Sequence, residues 1–204
     1  MSLSKFDICN QALVLVGANT ISSFSQNTTE SVVSNQLYET TLRAMLTKAR
    51  WRFATKQAQL TKLTVDPLDK WDSAYQIPND TILIHTATVS DNVILYDRYN
   101  EYLYTNTGQN DVVVLHYTYQ PHEKEFPDYF TQALVFELAS LFAGAIARND
   151  QLSLLYEKRA RQQLVVARSM ESQTQTSRKL NTSLLIEVRN RATASGVRAV
   201  VPDS

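Results

Sequence analysis

Residues 129–147 read YFTQALVFELASLFAGAIA, and this stretch decides the fold. Wound into a helix, it is apolar on nearly every side, with Gln132 and Glu137 as the main exceptions. A helix that is apolar all round is buried in a core, so we predict that this segment forms the central helix. Its most apolar window, residues 133–147, contains Glu137 and falls short of the ~20 apolar residues that span a membrane, so we expect no membrane insertion.

Three further helices are predicted around this central one. The first begins at Ser4, has Asp7 near its start and ends at Gly17, a typical residue after a helix end. A second is predicted from about Glu30 to about Ala58, with a bend near Trp51. The last is capped by Asn149 or Asp150, and its apolar stripe consists of Leu152, Tyr156, Ala160, Leu164 and Ala167.

The pattern between residues 66 and 119 is typical of strands. Short runs of alternating character cover residues 81–89, 93–96, 101–105 and 112–119. Residues 106–110 have the composition of a turn, which predicts a hairpin of the two flanking strands. Seven of the ten tyrosines lie between Tyr96 and Tyr129, where aromatic side chains suit a pleated, half-buried surface.

Together these patterns predict an α+β fold that is mainly α. Residues 1–65 and 120–170 form an antiparallel helical bundle, and residues 66–119 form a small inserted antiparallel β-domain. Residues 171–204 form a C-terminal extension. Residues 171–177 have no apolar side chain, and the short amphipathic segment from Leu180 to Ala194 has too little apolar surface to pack alone.

Composition excludes several classes of protein. The 204 residues include only four glycines, which are too far apart for a dinucleotide-binding or P-loop motif. Twenty basic and twenty acidic residues cancel, whereas a dedicated nucleic-acid-binding protein has a basic excess. The single cysteine, Cys9, indicates a reducing compartment, and the apolar run at residues 12–16 is shorter than the ~7–15 residues of a secretory signal. We therefore expect synthesis in a cytoplasm.

Charge is balanced in total but segregated along the chain. Residues 66–128 hold eleven acidic and three basic residues, while residues 43–62 hold six basic residues and no acidic one. Complementary faces favour head-to-tail contacts between identical subunits, and such contacts close into rings. The residues predicted for a basic inter-subunit face are Arg43, Lys48, Arg50, Arg52 and Lys56. Solvated helix surface and duplex DNA binding by residues 43–62 are the alternatives.

Candidate catalytic residues are few. His85 and His116 lie in strand-like runs, and His122 lies in a loop without the i, i+4 spacing of a helical zinc site. The acidic pairs Asp66/Asp69 and Glu123/Glu125 are of the type that glycoside hydrolysis uses. We expect no enzyme activity, no bound metal and no cofactor.

Several short motifs, rich in aromatic residues, follow one another in a familiar order. In chain order they are Asn10-Gln11-Ala12-Leu13, Val16-Gly17, Tyr38, Leu42 to Leu46, Trp51-Arg52-Phe53-Ala54, Ala74-Tyr75-Gln76-Ile77-Pro78-Asn79-Asp80, Tyr117-Thr118-Tyr119 with Pro121, and Phe126-Pro127-Asp128-Tyr129-Phe130. Over roughly residues 6 to 170 this order resembles the tail tubular protein A family of short-tailed bacteriophages, the head-to-tail adaptor or gatekeeper proteins. The Trp-x-Phe-Ala and Tyr-x-x-Pro-x-Asp motifs are its most specific parts. The family usually has a proline or a similar residue before the tryptophan, where this chain has Arg50.

The resemblance implies a structural virion protein of the tail, located at the portal junction and made in the host bacterial cytoplasm. Such adaptors form a ring, typically a dodecamer, that joins the portal protein to a tail nozzle similar to tail tubular protein B. Genomic DNA passes through the central channel without sequence-specific binding, and we expect the acidic insert to line that channel. A virion-associated enzyme that cleaves carbohydrate or peptidoglycan, with carboxylates near the insert, is the alternative.

The resemblance also suggests a role for the C-terminal extension, as a segment that docks on the portal. Apolar contacts would come from Leu184, Leu185, Ile186 and Val188. Charge-assisted contacts would come from Arg189, Arg191 and Arg198.

Deletion of residues 175–204 tests this docking role. Each truncated copy should still fold, because the deleted residues have too little apolar surface to belong to the core, but it should no longer join the portal. Circular dichroism checks the folding, and co-sedimentation with portal rings checks the binding. Unimpaired assembly of the truncated chain would contradict the docking role.

Overall fold

The described part of the computed structural model comprises residues 3–64, 67, 70–108 and 110–173. Four helices and two antiparallel sheets occupy it, which confirms a mixed α+β fold. The helices are α1 (Lys5–Leu15), α2 (Thr29–Thr47), α3 (Asp128–Ala145) and α4 (Asp150–Gln173). The strands are β1 (Thr55–Gln59), β2 (Ser73–Gln76), β3 (Leu83–Val89), β4 (Asn92–Ile94), β5 (Tyr96–Tyr99), β6 (Tyr102–Thr105) and β7 (Val113–Thr118). None of the described helices is long and apolar enough to cross a membrane.

Helix α1 begins and ends where its sequence predicts. The Ser4 side chain accepts a hydrogen bond from the Asp7 backbone N–H, and the Asp7 carboxylate accepts one from the Ser4 backbone N–H at 2.9 Å. This reciprocal pair is a capping box, which satisfies two backbone donors at the helix start. At the other end Gly17 has φ of 72°, and the Ala18 N–H donates to the Leu13 carbonyl at 3.0 Å. The positive φ is why glycine suits this position.

Helix α3 is the centre of the helical core. Ten of its residues are buried, including the fully buried Phe130, Leu134 and Phe142. It packs against both α1 and α2. The prediction of a central, apolar helix is therefore confirmed.

Helix α4 follows after a short turn, and its predicted cap is confirmed. The Asn149 side chain accepts a hydrogen bond from the Leu152 N–H at 3.0 Å. The predicted stripe faces inward: Tyr156, Ala160 and Ala167 are buried, and Leu152 and Leu164 are half-buried. Residues 171–173 continue the helix beyond the stripe.

The prediction of one helix from about Glu30 to about Ala58 is wrong beyond Thr47. After α2 the chain makes a short 3-10 turn at Arg52–Ala54 and then forms strand β1. Trp51 is the cause of the turn, because its fully buried ring leaves the line of α2 and its Nε1 donates to the Met45 carbonyl at 3.0 Å. Strand β1 pairs with β7, so it extends the sheet structure to the N-terminal side of residue 66.

The seven strands form two sheets in which every pair is antiparallel. The larger sheet has the order β1-β7-β3-β4, and the smaller one has the order β2-β6-β5. Their apolar residues share one core, separate from the helical core, formed by Leu60, Tyr75, Ile77, Ala87, Leu103, Val113, Leu115 and Tyr117. The four predicted strand runs correspond to β3, to β4 with β5, to β6 and to β7, while β1 and β2 were not among them.

The predicted hairpin across residues 106–110 does not form. The strand before it, β6, pairs with β2 and β5, whereas the strand after it, β7, lies between β1 and β3 in the other sheet. The segment does turn, since the Gly108 N–H donates to the Asp111 carboxylate at 2.7 Å. It connects two sheets instead of two neighbouring strands. The two-residue hairpins are at Ser90–Asp91, where both φ angles are positive as a tight hairpin turn requires, and between β5 and β6.

Candidate interaction surfaces

The five cations predicted for a basic inter-subunit face are all exposed. Arg43 lies on α2, Lys48 at its C-terminal end, Arg50 and Arg52 in the turn that follows, and Lys56 on β1. The face therefore spans the junction between the helical core and the larger sheet. Exposure of all five keeps them accessible to a partner.

Two of these cations are paired with acidic residues from distant parts of the chain. Lys48 Nζ lies 2.6 Å from a Glu137 carboxylate oxygen on α3, and Lys56 Nζ lies 3.0 Å from an Asp80 oxygen. Lys56 Nζ also lies 3.8 Å from the centre of the Tyr119 ring. Folding therefore neutralises part of the charge segregation seen along the chain. Exposed ion pairs of this kind stabilise a fold by no more than about 1 kcal/mol each.

Asp80 is the centre of a small polar cluster beside the larger sheet. Tyr117 donates its hydroxyl to the second Asp80 oxygen at 3.0 Å. Burial opposes ionisation of Asp80, yet the hydrogen bonds from Lys56 and Tyr117 hold its pKa below the usual value. Burial, together with the hydrogen bond to Asp80, raises the pKa of Tyr117 to about 12. The cluster joins β1, β7 and the segment before β3, so its role in this fold is to hold strands together.

Among the described residues the most deeply buried acidic side chain is that of Glu171, which no sequence motif singled out. It is 6% exposed, although it lies in a run that reads as polar. One carboxylate oxygen accepts the Arg52 backbone N–H at 2.6 Å, and the other accepts the Tyr129 hydroxyl. Burial, together with the hydrogen bond to Glu171, raises the pKa of Tyr129. Glu171 therefore joins the end of α4 to the start of α3 and to the turn after α2. Its spacing was the available signal, because it continues the stripe four residues after Ala167.

Two of the histidines, and the acidic pair Glu123/Glu125 in a 3-10 turn at Glu123–Glu125, have structural partners. His116 Nδ1 lies 3.3 Å from Gln57 Nε2. His85 Nε2 lies 2.8 Å from Thr118 Oγ1, and burial, aided by the Arg50 charge, lowers the pKa of His85. Glu123 accepts the Tyr38 hydroxyl at 3.2 Å, and Glu125 accepts the Tyr119 hydroxyl at 3.1 Å. These contacts hold the side chains in place.

The described residues form no metal site and no activated thiol, and several predicted site residues lie outside them. No group of three or more His, Cys, Asp or Glu side chains within the described ranges is placed to hold a metal ion. Cys9 is buried, and burial raises its pKa to about 12, so its thiol is not activated. Asp66 and Asp69 lie outside the described residues, as do all of the portal-docking candidates: Leu184, Leu185, Ile186, Val188, Arg189, Arg191 and Arg198.

Helix α4 also has exposed apolar side chains that the sequence analysis did not predict. Outside its buried stripe it exposes five large apolar side chains, with exposed fractions from 44% to 67%; Leu154 and Val165 lie opposite the stripe and the others lie beside it. These residues are Leu154, Leu155, Val165, Val166 and Met170. Apolar patches that a folded chain leaves in solvent mark sites of protein–protein contact.

No protein-family profile matches the chain, and no curated protein matches its sequence at a significant level. The likeness to the adaptor family therefore consists of the motif order in the sequence.

Replacement of Glu171 tests its joining role. Glu171→Ala should lower the free energy of unfolding by about 1–3 kcal/mol, because it leaves the partly buried Arg52 N–H and the Tyr129 hydroxyl without their acceptor. Thermal and urea unfolding measure the loss. Glu157→Ala is the matched control on the same helix; it removes only the exposed pair with Arg161, worth about 0.5 kcal/mol or less. Equal effects of the two changes would contradict the role of Glu171.

Removal of the Lys56 charge tests the Asp80 cluster. In Lys56→Gln the pKa of Asp80 should rise toward its ordinary value, and an NMR titration of the Asp80 carboxyl carbon measures it. A lowered pKa stabilises the fold above the unfolded value of about 3.9, and this contribution disappears as the pH falls through the folded value. The variant should therefore lose less stability than the wild type between about pH 5 and pH 2. Lys48→Gln, which removes a cation that has another partner, should leave the Asp80 titration unchanged.

Proposed function

We propose that the chain is a structural virion protein, the head-to-tail adaptor that joins a phage portal to the tail nozzle. In this proposal copies of the chain form a ring, a dodecamer by the resemblance, that surrounds part of the DNA channel. The finer architecture belongs to the proposal as well: a helical bundle forms the ring wall, the β-rich part is its insert, and the C-terminal extension docks on the portal.

The observation that carries the proposal is the exposed apolar face of α4. This helix has 24 residues, yet its buried residues are only Tyr156, Ala160, Ala167 and Glu171. Its outward side carries Leu154 and Val165 among charged and polar side chains. A helix that is anchored on one side and exposes large apolar side chains elsewhere is suited to contact with another protein. An enzyme that works as a monomer has no use for such a face, whereas a subunit of an assembly does.

The motifs that resemble the adaptor family favour a fold shared with that family, and they say less about whether the surface is shared. Trp51, Tyr75 and Phe130 are fully buried, and Phe126 is 8% exposed. Side chains in these positions pack the core, so their order along the chain favours the same arrangement of helices and strands. The function then depends on what the exposed faces contact.

The charges are consistent with a channel through which DNA passes. A basic lumen would bind the phosphate backbone and retard its passage. In the proposed ring the Arg43, Arg50 and Arg52 side chains therefore point away from the channel, and the acidic β-rich part contributes to its lining. Pairing of Lys48 and Lys56 with Glu137 and Asp80 further lowers the positive charge that this region presents.

Electron microscopy of the purified chain, alone and mixed with the portal ring from the same phage, tests the proposal. We expect rings that stack on one end of the portal, with a subunit number that matches it. The chain shortened to residues 1–174 is the control and should give no stacked rings. If the full-length chain ignores the portal in every mixture, the adaptor function is wrong.

A further inference from the structure

A groove runs between α1 and α3 on the surface of the helical core. It has a volume of about 810 Å³. Apolar side chains form much of its lining, among them Val14, Val135 and Phe136, and Val14 is 61% exposed. Asp7 and Asp128 also line it, and the lining contains no basic side chain among the described residues. The groove is therefore apolar with an acidic contribution.

One buried polar group in the groove has no partner in the described part of the fold. Thr131 is 4% exposed, and its Oγ1 makes no hydrogen bond with the described residues. Buried hydroxyls in folded proteins nearly always have a hydrogen-bond partner. Thr131 thus points to an occupant of the groove that brings a polar group as well as apolar surface.

The outer face of α4 has the complementary character. Leu154 and Val165 are 65% and 67% exposed, and they are eleven residues apart on the same side of the helix. At a rise of 1.5 Å per residue they are separated by about 16 Å. Lys158 and Arg161 lie between them on that side and are exposed, and Arg161 pairs with Glu157 on the same helix. The outer face is therefore two apolar side chains with cations between them.

Groove and face also agree in length. Helix α1 has eleven residues, which at the same rise gives a wall about 16 Å long. Leu154 and Val165 can occupy such a groove together, with Lys158 directed toward its carboxylates. The outer face cannot fill the groove of its own copy, because the opposite side of α4 is held against α1 and α3: the Tyr156 hydroxyl donates to the Leu15 carbonyl at 2.6 Å, and Gln163 donates to Gln132 at 2.9 Å.

We propose that the outer face of α4 in one copy of this chain docks into the α1–α3 groove of the next copy. The two surfaces are different patches of one molecule, so the contact is head-to-tail and repeats from copy to copy, which generates rings when the rotation closes. This inference rests on the proposed function, for which it names the subunit interface.

Paired cysteines test the docking directly. In the variant Val14→Cys with Val165→Cys, one cysteine is in the groove and the other is on the outer face. A short bismaleimide linker should join neighbouring copies into a ladder of dimers, trimers and larger species on a reducing denaturing gel. Each single variant should give no ladder, because a groove does not contact another groove and an outer face does not contact another outer face. The unreactive, buried Cys9 is common to all samples, and the wild-type chain shows its background.

Charged substitutions provide a second test that does not depend on linker geometry. Leu154→Asp with Val165→Asp should abolish oligomers in analytical ultracentrifugation and leave the melting temperature almost unchanged, because both side chains are already exposed. Val93→Asp is the matched control, since Val93 is 72% exposed on β4, away from both surfaces. Lys158→Glu should weaken association at least several-fold, and Asp128→Lys in the same chain should restore it.

The outcomes separate this inference from the adaptor function. If the double-cysteine variant forms rings on the portal but stays monomeric on the gel, the proposed docking is wrong. The adaptor function would still hold in that case. A ladder from a chain that ignores the portal would support the docking and contradict the adaptor function. Dimers from Val165→Cys alone would overturn the head-to-tail arrangement, because they would place two outer faces against each other.

Discussion

Burial of Trp51 is the constraint on which the rest of the structure depends. Its ring lies 5.1 Å from that of Phe130 on the central helix, and its Nε1 donates to the Met45 carbonyl near the end of α2. Phe53, two residues later, packs on Phe130 at 4.9 Å. These contacts turn the chain out of α2 and direct it into β1. One aromatic cluster therefore joins the helical core to the first strand of the larger sheet, and each side chain in it has a hydrophobic surface that only this arrangement buries.

The same turn holds the last described turn of α4 in place. The Arg52 N–H, exposed by the end of α2, is satisfied by Glu171 on the final described turn of α4, and the Tyr129 hydroxyl completes the contact. A carboxylate is buried here because its hydrogen bonds compensate for the loss of water. Once α4 is held along this side, its other side has to face solvent or another protein. The exposed apolar face that we interpret as an interface is thus a consequence of the internal anchor.

The segregation of charge along the sequence is larger than the segregation of charge on the folded surface. Acidic residues dominate residues 66–128 and basic residues dominate residues 43–62, which suggests two opposed faces. In the fold, Asp80 and Lys56 meet across β-structure, and Glu137 and Lys48 meet between two helices. The charges available to a partner are therefore those that such pairs leave over. For the groove and the outer face of α4, shape and apolar surface carry the contact, and charge sets its orientation.

The sequence by itself determined the helices α1, α3 and α4, with the caps at Ser4 and Asn149. Caps and apolar stripes act within one or two helical turns, so their signals are complete in a short window. Only the tertiary structure decided that residues 55–59 form a strand, because their hydrogen-bond partners in β7 are about sixty residues away. It also decided that the turn at residues 106–110 connects two sheets, and that Glu171 is buried. The spacing of Glu171 indicates the buried side of α4, but its partners Arg52 and Tyr129 are distant in sequence. Strand pairing likewise depends on groups that are distant in sequence, and no local pattern contains those partners.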